Sequence, residues 1–171
     1  MNPALAALLL GATCIALSPI FVRVSEAGPT ATAFWRVALA VPVLWILHFS
    51  TGKTTRRYSG KWPLLLAAGF AFAGDLGFWH TSIQLTSVAN STLLANLASI
   101  FVTLAAWIFL RQRPGGLFLA GLGAALAGVA LLVHTSLEFS ATGLAGDALG
   151  MVTAMFYAGY QMVVTRLRAT T

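Results

Sequence analysis

Six long runs of apolar residues, separated by short polar gaps, dominate the chain. They cover residues 4–24, 31–49, 62–83, 88–110, 117–133 and 143–167. Each run approaches the roughly 20 residues that a helix needs to cross a bilayer. Stretches such as LLLAAGFAFAG lack the alternation of polar and apolar residues that a transmembrane strand requires. The pattern therefore predicts an all-α, polytopic transmembrane helix bundle of about six helices.

Charge is scarce and unevenly placed along the chain. Only 8% of the 171 residues are charged, whereas a soluble domain carries about a quarter. Eight of the ten basic residues fall into gaps that six spans would place on one side of the membrane: Lys53, Arg56, Arg57, Lys61, Arg111, Arg113, Arg166 and Arg168. The positive-inside rule makes that side cytoplasmic, together with both termini, in what we expect to be a bacterial inner (plasma) membrane. Since the basic residues follow the membrane topology and form no single patch, nucleic acid is not an expected partner.

Two ionisable residues lie well inside the predicted spans. Arg36 and Asp75 each sit about 10 Å below the outer surface at 1.5 Å per residue. A charge inside a bilayer costs at least ~2.5 kcal/mol on insertion scales. We therefore expect the two residues to pair, with Asp147 as a competing partner for Arg36. Such a pair either holds the second and third helices together or forms part of an outward-facing cavity that contacts substrate.

Aromatic and amide side chains gather at similar depths. Trp79 lies one helical turn from Asp75 and shares its helix face. The other candidates for the wall of a substrate cavity are Asn90, Asn96, Tyr157, Tyr160 and Gln161. A small-molecule site combines apolar walls with a few polar groups, although each aromatic residue, taken singly, also fits ordinary packing. The single cysteine, Cys14, is expected to be a small side chain that faces lipid or core.

Small residues recur at four-residue spacing in the last two runs. Gly146, Gly150, Ala154 and Ala158 form one seam, and Gly121 with Ala125 begins another. Helices in lipid approach each other closely along such seams. We interpret them as ordinary packing faces rather than as a dedicated dimerisation motif.

Patterns typical of enzymes or cofactor proteins are absent from the sequence. His48 falls near the cytoplasmic end of its span, whereas His80 and His134 fall near the outer end of theirs. No second histidine pair at a matching depth and no Cys-x-x-Cys-His is present, so a haem protein is not expected. The chain has no Gly-x-Ser-x-Gly, no His-Glu-x-x-His and no glycine-rich phosphate loop with lysine. The sequence therefore predicts no catalytic residue, no metal site, no cofactor and no enzymatic activity.

Three segments resemble one family of membrane proteins. Residues 75–96, DLGFWHTSIQLTSVANSTLLAN, resemble the junction of helices three and four in the EamA-type drug/metabolite transporters. Residues 100–110, IFVTLAAWIFL, resemble the rest of that fourth helix, and residues 34–36, FWR, resemble the arginine-bearing start of the second. The resemblance implies ten helices in two inverted five-helix repeats, with substrate bound between them. Residues 1–135 would then form the first repeat, and residues 136–171 an outer loop and the first helix of a truncated second repeat.

The chain departs from the family pattern at two places. Members usually have a proline where this chain has Ser99, so we expect a straighter fourth helix here. They usually end that helix with a Gly-Glu-Arg-like turn, where this chain has RQR at residues 111–113. Loss of the acidic residue is expected to remove a salt bridge from the loop.

These observations favour a secondary transporter, an exporter or permease for a small metabolite or drug. Its expected partners are the lipid bilayer, a small-molecule substrate, and either a missing second repeat or a homodimer partner. We expect the chain to be an incomplete part of a ten-helix protein. Two alternatives stay open: a non-transporting membrane subunit or scaffold that packs against a partner, and a six-helix transporter that works as a homodimer.

Overall fold

The computed structural model describes residues 3–50, 61–111, 113–136 and 140–169. Within these ranges the chain forms seven helices and no strand: α1 (Pro3–Val24), α2 (Pro29–Ser50), α3 (Trp62–Leu85), α4 (Val88–Asn96), α5 (Ala98–Leu110), α6 (Gly116–Ser136) and α7 (Ala141–Ala169). The prediction of an all-α bundle is confirmed. The largest difference at a predicted boundary is three residues, at the end of the fifth span (133 against 136). Lys53, Arg56, Arg57 and Gln112 lie outside the described residues.

Five segments of the described chain are long and apolar enough to cross a membrane. They are Leu5–Val24, Pro29–Ser50, Trp62–Leu85, Val88–Phe109 and Ala141–Ala169. The apolar stretch of α6, Gly116–Leu131, is shorter. Large apolar side chains such as Leu8, Leu10, Trp45 and Phe49 are exposed on the outside of the helices. These faces suit contact with lipid tails, because an apolar surface of this extent would be unfavourable in water.

Capping serine side chains and a glycine turn mark where several helices begin. The Ser87 side chain accepts a hydrogen bond of 3.0 Å from the main-chain N–H of Asn90 and so caps α4. Ser140 does the same for the Gly143 N–H, again at 3.0 Å, at the start of α7. Each cap satisfies an N–H group that has no partner inside its own helix. Gly28 joins α1 to α2 with φ of 79°, a left-handed conformation that glycine adopts without steric cost.

The fourth predicted span consists of two helices, since Leu97 forms a turn between α4 and α5. The Leu97 N–H donates to the Leu94 carbonyl at 3.0 Å, and the Ile100 N–H donates to the Leu97 carbonyl at 2.9 Å. This three-residue spacing belongs to a 3₁₀ turn rather than to an α-helix. The span without proline at Ser99 is therefore interrupted at Leu97, while the expectation that it is straighter than in relatives with that proline stays a prediction.

The core lies where α7 packs against α3, α4 and α5. The contact face of α7 carries small buried residues: Gly143, Gly146, Gly150, Ala154 and Ala158. A Cβ atom placed on Gly146 would lie 2.8 Å from the backbone nitrogen of Thr86, and one on Gly150 would lie 3.1 Å from the Cβ of Leu94. A Cβ on Gly121 of α6 would meet no described atom within 4 Å. The α7 seam is thus a packing face within the chain, as predicted.

Polar bonds bridge the helices at the end of the bundle where α1 and α3 finish and α7 begins. An Arg23 Nη1–H group donates to the carbonyl oxygen of Ile83 and, at 3.4 Å, to that of Thr86. Gln84 donates from Nε2 to the Val22 carbonyl at 3.3 Å. A cation beside the last carbonyls of a helix also interacts favourably with the helix dipole. These bonds hold the end of α1 against the end of α3.

Candidate functional site

Helices α2 and α3 bring Arg36, Asp75 and Trp79 together. The Cζ atom of Arg36 lies 5.5 Å from the centroid of the Trp79 ring, which is a cation–π contact. Arg36 and Asp75 interact electrostatically, but within the described part of the chain they form no direct ion pair. The expected competitor, Asp147, instead accepts a hydrogen bond of 2.7 Å from Thr86 Oγ1. The guanidinium is therefore held by an aromatic face rather than by a carboxylate.

Arg36 also lines a cleft of about 590 Å³ between α1 and α2. Apolar and aromatic side chains form most of its walls, namely Ile15, Phe21, Val22, Trp35 and Leu39. Ser25 and Thr32 contribute hydroxyl groups, which lie 3.0 Å from each other, and the Thr32 hydroxyl donates to the Gly28 carbonyl at 2.7 Å. Among the residues that line the cleft, Arg36 carries the charge.

The α1 wall of this cleft was not recognised from the sequence. Cys14, which was expected to face lipid or core, is exposed and lines the cleft together with Ser18. Cys14, Ser18, Phe21 and Ser25 follow one another at spacings of three or four residues, which places them on one helix face. This stripe of polar and aromatic residues in an otherwise apolar span is the sequence pattern from which the α1 side of the cleft could have been predicted.

The aromatic candidates on α7 form a separate group. The rings of Tyr157 and Tyr160 are stacked, with centroids 6.4 Å apart and an interplanar angle of 16°. Tyr160 also lies 5.2 Å from the ring of Phe72 on α3. Tyr160 is half-buried, whereas Tyr157 is 38% exposed. The stack joins α7 to α3 on one side and presents an aromatic surface on the other.

The amide candidates lie in three different environments. Asn90 is buried on α4 with 1% exposure, while Asn96 is exposed at the end of that helix. Gln161 lines a second cleft of about 790 Å³, whose other walls come from α3, α5 and the last turns of α7. Arg166 lies on the same cleft. The structure therefore does not place all eight predicted residues around one cavity.

Several polar side chains that the sequence did not single out are fully buried. Ser82 on α3, Ser91 on α4 and Thr153 on α7 each have no more than 1% exposure. His80 is also buried, and its Nδ1 atom lies 2.7 Å from the Leu76 carbonyl. In the described part of the chain, no three His, Cys, Asp or Glu residues lie close enough together to hold a metal ion. The buried groups are spread over α3, α4 and α7, which pack against one another.

Arg36 provides the main chemical capability of the α1–α2 cleft. A guanidinium group offers five N–H donors in a planar fork, which matches the oxygens of a carboxylate or phosphate. Clefts of roughly 300–1,000 Å³ with apolar walls and few polar groups are typical of small-molecule sites. The arrangement can therefore hold and orient a small organic molecule.

Comparison with known proteins assigns relatives to the chain. A model of the EamA-like transporter family matches residues 2–134. The chain is also 29% identical, over 167 residues, to a protein of Archaeoglobus fulgidus that bears the name "uncharacterized transporter". This similarity covers 94% of the chain and 57% of that protein, so the chain spans little more than half the relative's length. No solved structure matches the chain.

Proposed function

Since this chain belongs to the EamA-like transporter family, we propose that it forms the substrate-binding part of a secondary transporter for a small organic molecule. It acts as an exporter or permease in the inner (plasma) membrane. The relative from Archaeoglobus fulgidus is longer than the stretch that the chain matches. Further helices therefore complete the transport unit, either from a second inverted repeat of a longer protein or from a second copy of the chain.

The observation that carries this proposal is the position of Arg36. The residue lies within the α2 span, it is exposed, and it borders both the α1–α2 cleft and Trp79. Ionisable groups inside membrane spans generally face a water-filled cavity or a protein interior and mark the paths of substrates or ions. A cleft that contains such a group is a natural entry point for substrate.

The remaining candidates then have distinct proposed roles. Trp79 orients the guanidinium, and Asp75 reduces the net positive charge that a substrate meets. Tyr157 and Tyr160 provide an aromatic surface that faces the additional helices of the transport unit. Gln161 belongs to the second cleft, near Arg166, where substrate would leave or enter on the basic side of the membrane.

A transport assay with two matched variants tests the proposal. Cells that produce the protein are exposed to a panel of small aromatic compounds that carry negative, zero or positive charge, and intracellular accumulation is measured. The protein should change the accumulation of at least one compound several-fold relative to cells without it. Asp75→Asn should change the size of this effect at least threefold, because it removes the negative charge beside Arg36. Asp147→Asn should preserve the effect, because Asn keeps an oxygen that accepts the Thr86 hydrogen bond.

The opposite result would favour the scaffold alternative. If the protein reaches the membrane in folded form but alters the accumulation of no compound in the panel, the transport proposal fails. If Asp75→Asn and Asp147→Asn behave alike, transport stands but the role given to Asp75 is wrong.

A further inference from the structure

Among the described residues, Arg36 has no hydrogen-bond or ion-pair partner, although it lies inside a membrane span. Its contact is with the Trp79 ring, whose centroid lies 5.5 Å from the Cζ atom. An aromatic ring attracts the cation but offers its N–H groups no oxygen or nitrogen acceptor. The five N–H donors around its edge are thus left for water or for a ligand.

The lack of described hydrogen-bond partners matters because Arg36 lies deep in the membrane span. The residue lies seven positions after Pro29, the first residue of α2, which is about 10 Å along the helix at 1.5 Å per residue. Its contact with Trp79 draws the head group toward α3 rather than toward the end of the helix. The guanidinium therefore stays at the depth of the cleft and does not simply extend to the membrane surface.

The other described groups that line the cleft do not neutralise the positive charge of Arg36. The Thr32 hydroxyl donates to the Gly28 carbonyl, so the bond between Ser25 and Thr32 has Ser25 as its donor. None of the described residues that line the cleft carries a carboxylate, and Asp75 influences Arg36 from outside its walls. The cleft thus combines one positive charge with apolar and aromatic walls.

We propose that the cleft between α1 and α2 binds an amphipathic organic anion, with its carboxylate on Arg36 and an aromatic or apolar body against Phe21 and Trp35. A planar carboxylate accepts two parallel N–H bonds from a guanidinium group, which fixes its orientation. The volume of about 590 Å³ accommodates a body of one or two rings. Binding itself needs only the described helices, whereas the role of this anion as the transported substrate rests on the proposed function.

A series of three ligands with one ring system tests the charge preference directly. Indole-3-acetate is an anion, indole-3-acetamide is neutral and tryptamine is a cation, and all three carry the same indole. Binding to the purified full chain in lipid nanodiscs is measured by isothermal titration calorimetry. The anion should bind at least tenfold more tightly than the amide, and tryptamine should bind most weakly, because it brings a second cation next to Arg36.

Variants then assign the preference to Arg36. Arg36→Gln should reduce the difference between anion and amide to less than threefold, while Arg36→Lys should keep part of it. Arg113→Gln removes an equal charge from an exposed position outside the helices and should leave the preference unchanged. Because the ligand series is first measured on the unaltered protein, the proposal stays falsifiable even if Arg36→Gln does not fold.

Other outcomes would overturn the proposal. Equal affinities for the three ligands, tighter binding of tryptamine, or no binding of indole-3-acetate at millimolar concentration each contradict it. The failures are distinguishable from those of the proposed function. Selective binding without transport would refute the transporter role alone, whereas transport without charge preference would refute the anion site alone.

Discussion

Buried hydroxyl groups are concentrated on the three helices that form the core. Ser82, Ser91 and Thr153, from α3, α4 and α7, are all fully buried. A polar group in an apolar environment is costly unless it finds a hydrogen-bond partner. Ser82 has one on the neighbouring helix, since its hydroxyl donates to the Gly146 carbonyl at 2.7 Å. This bond connects α3 to α7 at Gly146, where a Cβ atom would not fit.

Removal of that hydroxyl should therefore weaken the bundle. We expect Ser82→Ala to lower the free energy of unfolding by about 1 kcal/mol, the net contribution of a typical hydrogen bond. The measurement is unfolding of the purified protein in mixed micelles by titration with sodium dodecyl sulfate. Thr81→Ala is the control, because the Thr81 hydroxyl bonds only to the Gly77 carbonyl of its own helix. Equal losses for the two variants would mean that the bond between helices contributes nothing.

The depth of the site residues could be predicted from the sequence, but their contacts could not. Counting residues along two spans placed Arg36 and Asp75 at the same level, and the structure brings both to the same region. Their rotation about the helix axes depends on which faces the helices pack together. Small shifts in that rotation decide whether Arg36 meets a carboxylate or, as observed, the face of Trp79. A single sequence contains no direct measure of this rotation.

At the scale of the helix, the seam of small residues on α7 determines how closely the core packs. Because the seam carries glycine and alanine, α7 lies close to the end of α3 and to α4, with no space for a Cβ at Gly146 and little at Gly150. The contact is tightest at Gly146 and somewhat looser at Gly150, while Gly159 lies on another face of the same helix. The three glycines thus form an internal series with decreasing contact.

Replacing each of these glycines with alanine should reveal that gradient. Gly146→Ala should destabilise the protein by about 1–3 kcal/mol, the usual cost of overpacking, because its Cβ would lie 2.8 Å from a backbone atom that cannot rotate away. Gly150→Ala should cost less, since its Cβ would lie 3.1 Å from the nearest atom, the Leu94 Cβ. Gly159→Ala should be neutral or stabilising by up to about 1 kcal/mol, because alanine favours the helix. Thermal unfolding in detergent gives the order, and a flat series would contradict the packing role of the seam.

The helices themselves were largely readable from the sequence. Apolar runs set their lengths, and residues such as Ser87, Ser140 and Gly28 mark where they begin or turn. The turn at Leu97 was not predicted because the run from α4 to α5 contains no proline or glycine. A local 3₁₀ turn of this kind follows from tertiary packing, which a propensity-based analysis does not include.

At the scale of the whole molecule, α7 is joined to the preceding helices rather than set apart from them. It packs against α3, α4 and α5. Near its start, Gly146 accepts a hydrogen bond from Ser82 of α3, and Asp147 accepts one from Thr86, the residue that follows α3. The sequence assigned α7 to a second repeat on the basis of a family resemblance. That assignment stays a prediction, and the small-residue seam is the face on which α7 meets α3, α4 and α5.

The proposed orientation of the molecule can be tested with single cysteines in a Cys14→Ala background. Ser140→Cys lies at the end where α7 begins, and Arg113→Cys lies between α5 and α6 at the opposite end. Both positions are exposed. A thiol reagent that does not cross membranes should label Ser140→Cys in intact spheroplasts and Arg113→Cys only after permeabilisation, as the positive-inside rule requires. The reverse pattern would invert the orientation proposed for the protein.

The proposed transport function and the proposed anion site both require that the cleft between α1 and α2 is open to water and ligand inside the membrane. The native protein already contains the probe, since its single cysteine, Cys14, lines this cleft. Thiol reagents react with the thiolate, which forms in water and not in lipid. A matched control is Ala16→Cys in a Cys14→Ala background, because residue 16 is exposed at similar depth but does not line the cleft.

The most direct measurement is the rate at which a charged, water-soluble methanethiosulfonate modifies Cys14 in nanodiscs. We expect Cys14 to react at least tenfold faster than the cysteine of Ala16→Cys, and we expect indole-3-acetate to slow the modification of Cys14. Equal rates at the two positions would contradict a cleft that is open to water, because the cleft would then be filled by lipid or closed by packing.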